Sequence, residues 1–160
     1  MVRVLVSYYS ESGNTEKLAK AIAKGAMEVP DVEVVLKRVE ETSLDDLLSA
    51  DAIVMGSPTY YGLLAAPLKK LLDESVKIHG KLEGKVGAAF TSAGGTATGA
   101  ETTILSILQA MLVHGMVVQG SPHAKHYGPA ATGAPNAKEL AVCRTKGHNT
   151  AELAKKLCGK

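Results

Sequence analysis

The sequence has no tryptophan, a single phenylalanine and two cysteines in 160 residues. Each scarcity narrows the field. Cys143 and Cys158 lie near the C-terminus in neither a C-x-x-C nor a Cys/His ligand spacing, which argues against a disulfide framework or a zinc site. Both are expected to be buried or idle thiols. The formal charge is only +2, and no block of basic residues is interleaved with aromatics, so the footprint of a nucleic-acid binder is missing. No long apolar segment suggests membrane insertion. The chain runs from Met1 straight into Val2, Arg3, Val4, Leu5 and Val6, without a charged leader or a small-residue cleavage site. That start leads us to expect a cytoplasmic protein. With so few other aromatics, the five tyrosines hold nearly all of the stacking capacity.

What is present is a hydrophobic fraction of 46%, enough for one domain spanning residues 1–160 with its own core. Short apolar runs alternate with stretches of helical period, the pattern of βαβ units around a parallel sheet covered on both faces. Five runs are read as strands: residues 2–7, 33–39, 52–57, 85–91 and 116–119. Between them, Leu18, Ile22 and Ala26 mark one helix, and Ser43 with Asp46 a capped start for a short second one. Pro67 opens a third helix through Leu68, Leu71 and Leu72, and Ile104, Leu108 and Met111 mark a fourth. Residues 121–135, rich in Gly, Pro, Ala and His, form a long loop before a final helix bearing Leu140, Cys143, Leu153 and Leu157.

In an open parallel sheet, ligands bind beyond the carboxyl ends of the strands. The loops after the first, third and fourth strands are the richest in Ser, Thr, Gly and Tyr. The first, Ser10-Glu11-Ser12-Gly13-Asn14-Thr15, offers hydroxyls and the free amides of a helix start, a place for a phosphate. Ser12 or Asn14 acting simply as a helix cap is the alternative. The loop has no Lys or Arg, so the anion would be held by neutral hydrogen bonds, as suits a terminal monoester. The signatures G-x-x-x-x-G-K-[ST] and G-x-G-x-x-G are both absent. Tyr8, Tyr9, Ser57 and Pro58 stand where a phospho-receiver would need acids, and the first loop lacks the cysteine nucleophile and arginine of a low-molecular-weight phosphatase. The second loop, Pro58-Thr59-Tyr60-Tyr61-Gly62, places two tyrosines at a strand end where a flat heterocycle can stack. The third, Ser92-Ala93-Gly94-Gly95-Thr96-Ala97, can bring its backbone close to a heteroatom-rich ring edge.

At this point the chain resembles a family, the flavodoxin-like NAD(P)H:quinone oxidoreductases of the WrbA type, and more distantly the flavodoxins. The resemblance covers nearly the whole chain. It is carried by Val4-Leu5-Val6-Ser7-Tyr8-Tyr9-Ser10 with Gly13, by Val34-Val35-Leu36-Lys37-Arg38-Val39 with Glu41 and Thr42, and by Gly56-Ser57-Pro58-Thr59 with Gly62. Thr102-Thr103, His114-Gly115-Met116-Val117 and His126-Tyr127-Gly128 extend it. It implies a flavodoxin-like doubly wound α/β fold with a five-stranded parallel sheet in order 2-1-3-4-5 and helices on both faces. It implies FMN with its phosphate at residues 10–15, its ring against 59–61 and its edge and ribityl chain along 92–97. NAD(P)H as donor, a quinone or similar acceptor, and a homo-oligomer, dimer or tetramer, follow from the same resemblance, with a flavodoxin-type electron carrier as the alternative. The family has an arginine at the position of Tyr60 and a tryptophan within the stretch 75–81, where this chain has Val76, Ile78 and His79. Its active-site histidine aligns with Val113, one position before His114, so no catalytic side chain is assigned. His114 is expected as a packed or capping residue, and His123 and His126 as solvated loop residues.

Overall fold

A computed structural model describes residues 1–159. The strands β1 (Val2–Tyr8), β2 (Val32–Arg38), β3 (Ala52–Pro58) and β4 (Val86–Ala93) form a parallel sheet whose order continues to β5 (Val117–Val118) as β2-β1-β3-β4-β5. This is the order expected. Period-two geometry sends neighbouring side chains to opposite faces. Val4, Val6, Val54 and Phe90 therefore pack with α1 (Asn14–Met27) and α5 (Ala137–Cys158) on one face. Leu5, Ile53 and Met55 pack on the other with α2 (Leu44–Ser49), α3 (Ala66–Glu74) and α4 (Ala100–Val113). Both faces being covered is why these strands read as unbroken apolar runs rather than alternating ones.

Local signals explain the helix starts. Ser43 and Asp46 form a capping box at α2, and Lys37 Nζ donates to Asp46 Oδ1 at 2.8 Å. Burial alone would raise the Asp46 carboxyl, but the bonds from Lys37 and Ser43 outweigh it and hold the group down at about 2. Pro67 sits in the first turn of α3, as expected. A second capping box, Asn136 with Glu139, opens α5; its signal in the sequence is the N-x-x-E spacing. Where α1 crosses α5, the backbones touch. A Cβ added at Gly25 would lie 1.9 Å from the Arg144 carbonyl oxygen, and one at Gly147 equally close to that of Ile22.

The fifth strand position differs from the expected run of residues 116–119. It is shared: β5 keeps only two residues, paired with Val86 and Gly87, and β6 (Ala130–Thr132) pairs with Thr91, Ser92 and Ala93 at the other end of β4. The long loop of residues 121–135 thus contains a strand. Its Gly- and Pro-rich composition masked the three-residue segment Ala130-Ala131-Thr132, too short to show a period. β4 also reaches Ala93, so Ser92 and Ala93 belong to the strand and not to the loop.

Cys143 is fully buried, and desolvation, with Glu139 adding to it, pushes its thiol up to about 12. Cys158 is half-buried, and both are free thiols. His114 is the buried C-cap residue of α4, as the packed-or-capping expectation had it. Its Nε2 lies 2.7 Å from Ser75 Oγ, while its buried Nδ1 has no partner among the described residues. Ser75 Oγ donates to the Leu72 carbonyl, so it can only accept from His114, which places the proton on Nε2. Among the described residues no helix is long and apolar enough to cross a membrane.

Candidate functional site

The loops after β1 (residues 9–13), β3 (59–65) and β4 (94–99) leave the same edge of the sheet and are bonded to one another. Thr15 Oγ1 lies 2.8 Å from Ser92 Oγ, tying the start of α1 to the end of β4. The Thr59 amide donates to the Ser92 carbonyl at 2.7 Å, and Thr59 Oγ1 lies 2.9 Å from Thr91 Oγ1. Gly62 and Gly99 close the third contact: a Cβ on Gly99 would lie 2.5 Å from Gly62 Cα. Thr102 Oγ1 completes it by donating to the Gly62 carbonyl at 2.6 Å.

The first loop is built as an anion cradle. Gly13, at φ 91°, is the N-cap of α1 and offers no side-chain cap. The buried Ser10 hydroxyl replaces it by accepting from the amides of Gly13 and Glu16, each at 3.2 Å. Neither Ser12 nor Asn14 caps the helix, so that alternative is set aside. Among the described residues, the amides of Glu11, Ser12, Asn14 and Thr15 have no acceptor. Successive free amides at a helix start form a concavity that attracts anions. A Cβ added at Gly13 meets nothing within 4 Å, so the space beside this residue is open. The loop itself carries no Lys or Arg, yet a cation from a neighbouring strand braces its backbone. Arg38, at the end of β2, reaches across and donates from Nη2 to the Ser10 carbonyl at 2.8 Å. Because β2 lies beside β1, with Tyr8 and Arg38 in register, a residue 28 positions away in sequence arrives at the first loop.

In the second loop Tyr60 and Leu63 exchange backbone hydrogen bonds at 3.0 Å around a tight turn, with Tyr61 at φ 50° and Gly62 at φ 74°. Both central residues at positive φ define the turn normally written Asn-Gly; here a tyrosine takes the first place. Tyr61 is fully exposed at the turn tip. Tyr60 turns instead toward the first loop, where its hydroxyl donates to Glu11 Oε2 at 3.2 Å; Tyr9 donates to the same oxygen at 3.3 Å. Desolvation and the Glu11 carboxylate push both phenols up, so they stay protonated donors. The two adjacent tyrosines therefore have different surroundings, which spacing alone did not separate.

The third loop starts at Gly94, where a Cβ would meet open space. Gly94 and Thr96 are exposed, Ala97 sits at φ 56°, and Thr98 closes the turn onto the Gly95 carbonyl at 2.8 Å. Of the candidate residues, 10–15, Pro58, Thr59, Tyr60 and 92–97 converge around this edge, Gly62 packs against Gly99, and Tyr61 stands fully exposed at the turn tip. His123 and His126 are exposed in the 119–129 segment, where His126 Nδ1 lies 2.7 Å from the Ser121 carbonyl. A cleft of about 610 Å³ lies elsewhere, between that segment and α5, and none of its lining residues comes from the three loops. Its lining is rich in lysine, and Lys146 Nζ is already bonded to the Gln119 carbonyl at 2.6 Å. No group of three or more His, Cys, Asp or Glu side chains able to hold a metal exists among the described residues.

An open parallel sheet in this order, with a cradle of free amides at the end of its first strand, defines a flavodoxin-like protein. Solved structures agree: a flavodoxin from the domain Archaea superposes with TM-score 0.80 at 31% identity, covering 96% of this chain and 99% of that one. A WrbA-like flavodoxin from Agrobacterium tumefaciens gives TM-score 0.84 at 26% identity, with 98% and 99% covered. Residues 39–126 match the family model described as NADPH-dependent FMN reductase. An NAD(P)H dehydrogenase (quinone) of Archaeoglobus fulgidus is 38% identical over 192 aligned positions, covering 99% of this chain and all of the relative. One from Geotalea daltonii is 38% identical over 149 positions, covering 77% of this chain and 73% of the relative. The chain belongs to the NAD(P)H dehydrogenase (quinone) family. The family model leaves out residues 10–15, but the Archaeoglobus relative spans them.

Proposed function

We propose that this chain is an FMN-dependent oxidoreductase that takes electrons from NAD(P)H and passes them to quinones or similar small acceptors. The observation that carries the cofactor is that the amides of Glu11, Ser12, Asn14 and Thr15, next to the open space at Gly13, have no acceptor among the described residues. Four donors and the Ser10 hydroxyl suit the three terminal oxygens of a monoester phosphate, and the G-x-G-x-x-G signature of a pyrophosphate-binding loop is absent from the sequence. When bound, FMN supplies the ring that accepts a hydride from the nicotinamide and delivers electrons to the acceptor. The chain supplies orientation. Residues 10–15 anchor the phosphate, Pro58, Thr59 and Tyr60 form one wall for the ring with Tyr61 and Gly62 at its outer turn, and the backbone of residues 92–97 approaches its edge. Tyr60, whose hydroxyl donates to Glu11, would offer its aromatic face to the ring. Stacking of this kind contributes about 1 kcal/mol beyond burial.

The second reading, a flavodoxin-type carrier moving electrons between proteins, is favoured by the likeness to an archaeal flavodoxin. One experiment separates the two. The FMN-loaded protein is mixed anaerobically with NADH or NADPH at millimolar concentration, and its visible bands are followed. Bleaching by a nicotinamide, with recovery on adding a small quinone, supports the enzyme. Bleaching by dithionite alone supports the carrier.

We further propose that one domain spans residues 1–160, that it acts in the cytoplasm and that it works as a dimer or tetramer. Leu105, Leu112, Val113 and Val117 are exposed on α4 and β5, and covering such apolar surface supports an oligomer.

A further inference from the structure

We propose that Arg38 is a positioning residue for the cradle after β1: it holds the Ser10–Glu11 peptide so that the Glu11 amide stays turned toward the anion. The proposal rests on the reading of that loop as the FMN phosphate site. Strand register delivers Arg38 beside Tyr8, and the guanidinium carbon stands 5.8 Å from the centre of the Tyr8 ring. From there Nη2 donates to the Ser10 carbonyl at 2.8 Å and to Glu40 Oε1 at 3.2 Å.

No peptide bond in the described chain is cis, and in a planar trans peptide the C=O and N–H point in opposite directions. Fixing the Ser10 carbonyl on Arg38 therefore fixes the Glu11 N–H away from it. That amide has no acceptor among the described residues. The charge-assisted bond also neutralises a carbonyl dipole whose negative end would otherwise be free to swing toward an incoming anion. Both bonds leave one nitrogen, Nη2, whose hydrogens are held in the guanidinium plane, whereas a lysine ammonium rotates freely and defines the angles less well.

The test compares FMN with riboflavin, which carries the same ring and chain without the phosphate. Dissociation constants of both are measured by quenching of flavin fluorescence on wild-type apoprotein and on Arg38→Met, Arg38→Lys and Glu40→Gln, with far-UV circular dichroism confirming the fold. Wild type is expected to bind FMN far more tightly than riboflavin. Arg38→Met is expected to weaken FMN about tenfold and leave riboflavin within twofold, so that the ratio between them collapses. Arg38→Lys is expected between the two, and Glu40→Gln to keep or tighten FMN binding because the guanidinium remains in place. Equal loss of FMN and riboflavin in Arg38→Met would overturn the proposal, as would an unchanged ratio. So would a loss in Glu40→Gln as large as that in Arg38→Met. If wild type itself fails to discriminate FMN from riboflavin, the phosphate reading of the loop falls first. Should Arg38→Met not fold, the Arg38→Lys and Glu40→Gln ratios carry the same decision.

Discussion

Gly25 and Gly147 lie where α1 crosses α5, whereas Gly13 and Gly94 lie at the carboxyl ends of β1 and β4. A methyl group added to the first pair collides with backbone at 1.9 Å, and one added to the second meets nothing within 4 Å. The same residue type therefore does opposite work in the two regions. At the crossing it lets two helices close until no space is left, and at the strand ends it keeps space open. One region holds the fold together, the other leaves room for something the chain does not itself contain. Substitutions in the two regions should separate stability from ligand binding.

The largest effect is expected from Gly147→Ala. Its new methyl faces a carbonyl oxygen that no side-chain rotation can move, so the cost should lie at or above the upper end of ordinary overpacking, about 3 kcal/mol. Urea unfolding reads it directly. Gly94→Ala is the counterpart, with stability held within about 0.5 kcal/mol while FMN binding weakens. Similar stability losses in both would erase the distinction.

Ser10→Ala sharpens the comparison within the loop region itself. It removes the acceptor for the Gly13 and Glu16 amides, a cap whose loss costs about 1 kcal/mol. FMN titration should show roughly tenfold weaker binding, since about 1.4 kcal/mol corresponds to a factor of ten. Unchanged FMN affinity would move the phosphate away from this loop.

A smaller, pH-dependent effect belongs to the packed region. Desolvation, with His79 nearby, depresses the His114 imidazole in the folded chain. The unfolded chain therefore takes up a proton first as the pH falls through about 6.5. Stability is full above that pH and declines below it until the folded-state value is passed. Urea midpoints at pH 7.5 and 5.5 should differ more for the wild type than for His114→Gln. An equal difference in both would mean that this ring does not contribute.

The smallest effect is expected at the turn tip. Tyr61 takes a positive φ that favours Asn or Gly, so Tyr61→Asn should stabilise by about 0.5 kcal/mol and leave FMN affinity within twofold. Tyr60→Ala, which breaks the contact with Glu11, should loosen FMN severalfold in the same titration. A greater loss with Tyr61→Asn would exchange the roles of the two rings.

Most of the architecture was legible because its signals are local. The unbroken apolar runs of β1, β3 and β4 reflect burial on both faces, and Ser43 with Asp46 and Pro67 mark helix starts in the sequence itself. The division of the fifth position between β5 and β6 was not legible. Two or three residues carry no period, and what makes them strands is pairing to the two ends of β4. The candidate site divides in the same way. The loops and the hydroxyls in them could be named in advance, but the helix cap on Ser10, the Glu11 bridge to Tyr60 and the arrival of Arg38 could not.

The sequence by itself determined the alternation of strands and helices, the edge of the sheet where polar loops gather and the family to which the chain belongs, since all three are written in neighbouring residues and motifs. Only the tertiary structure decided which partners those loops find. Thr15 meets Ser92 across 77 positions, and Arg38 meets Ser10 across 28. Such pairings depend on strand order and register, which arise when the sheet assembles and its two faces are covered.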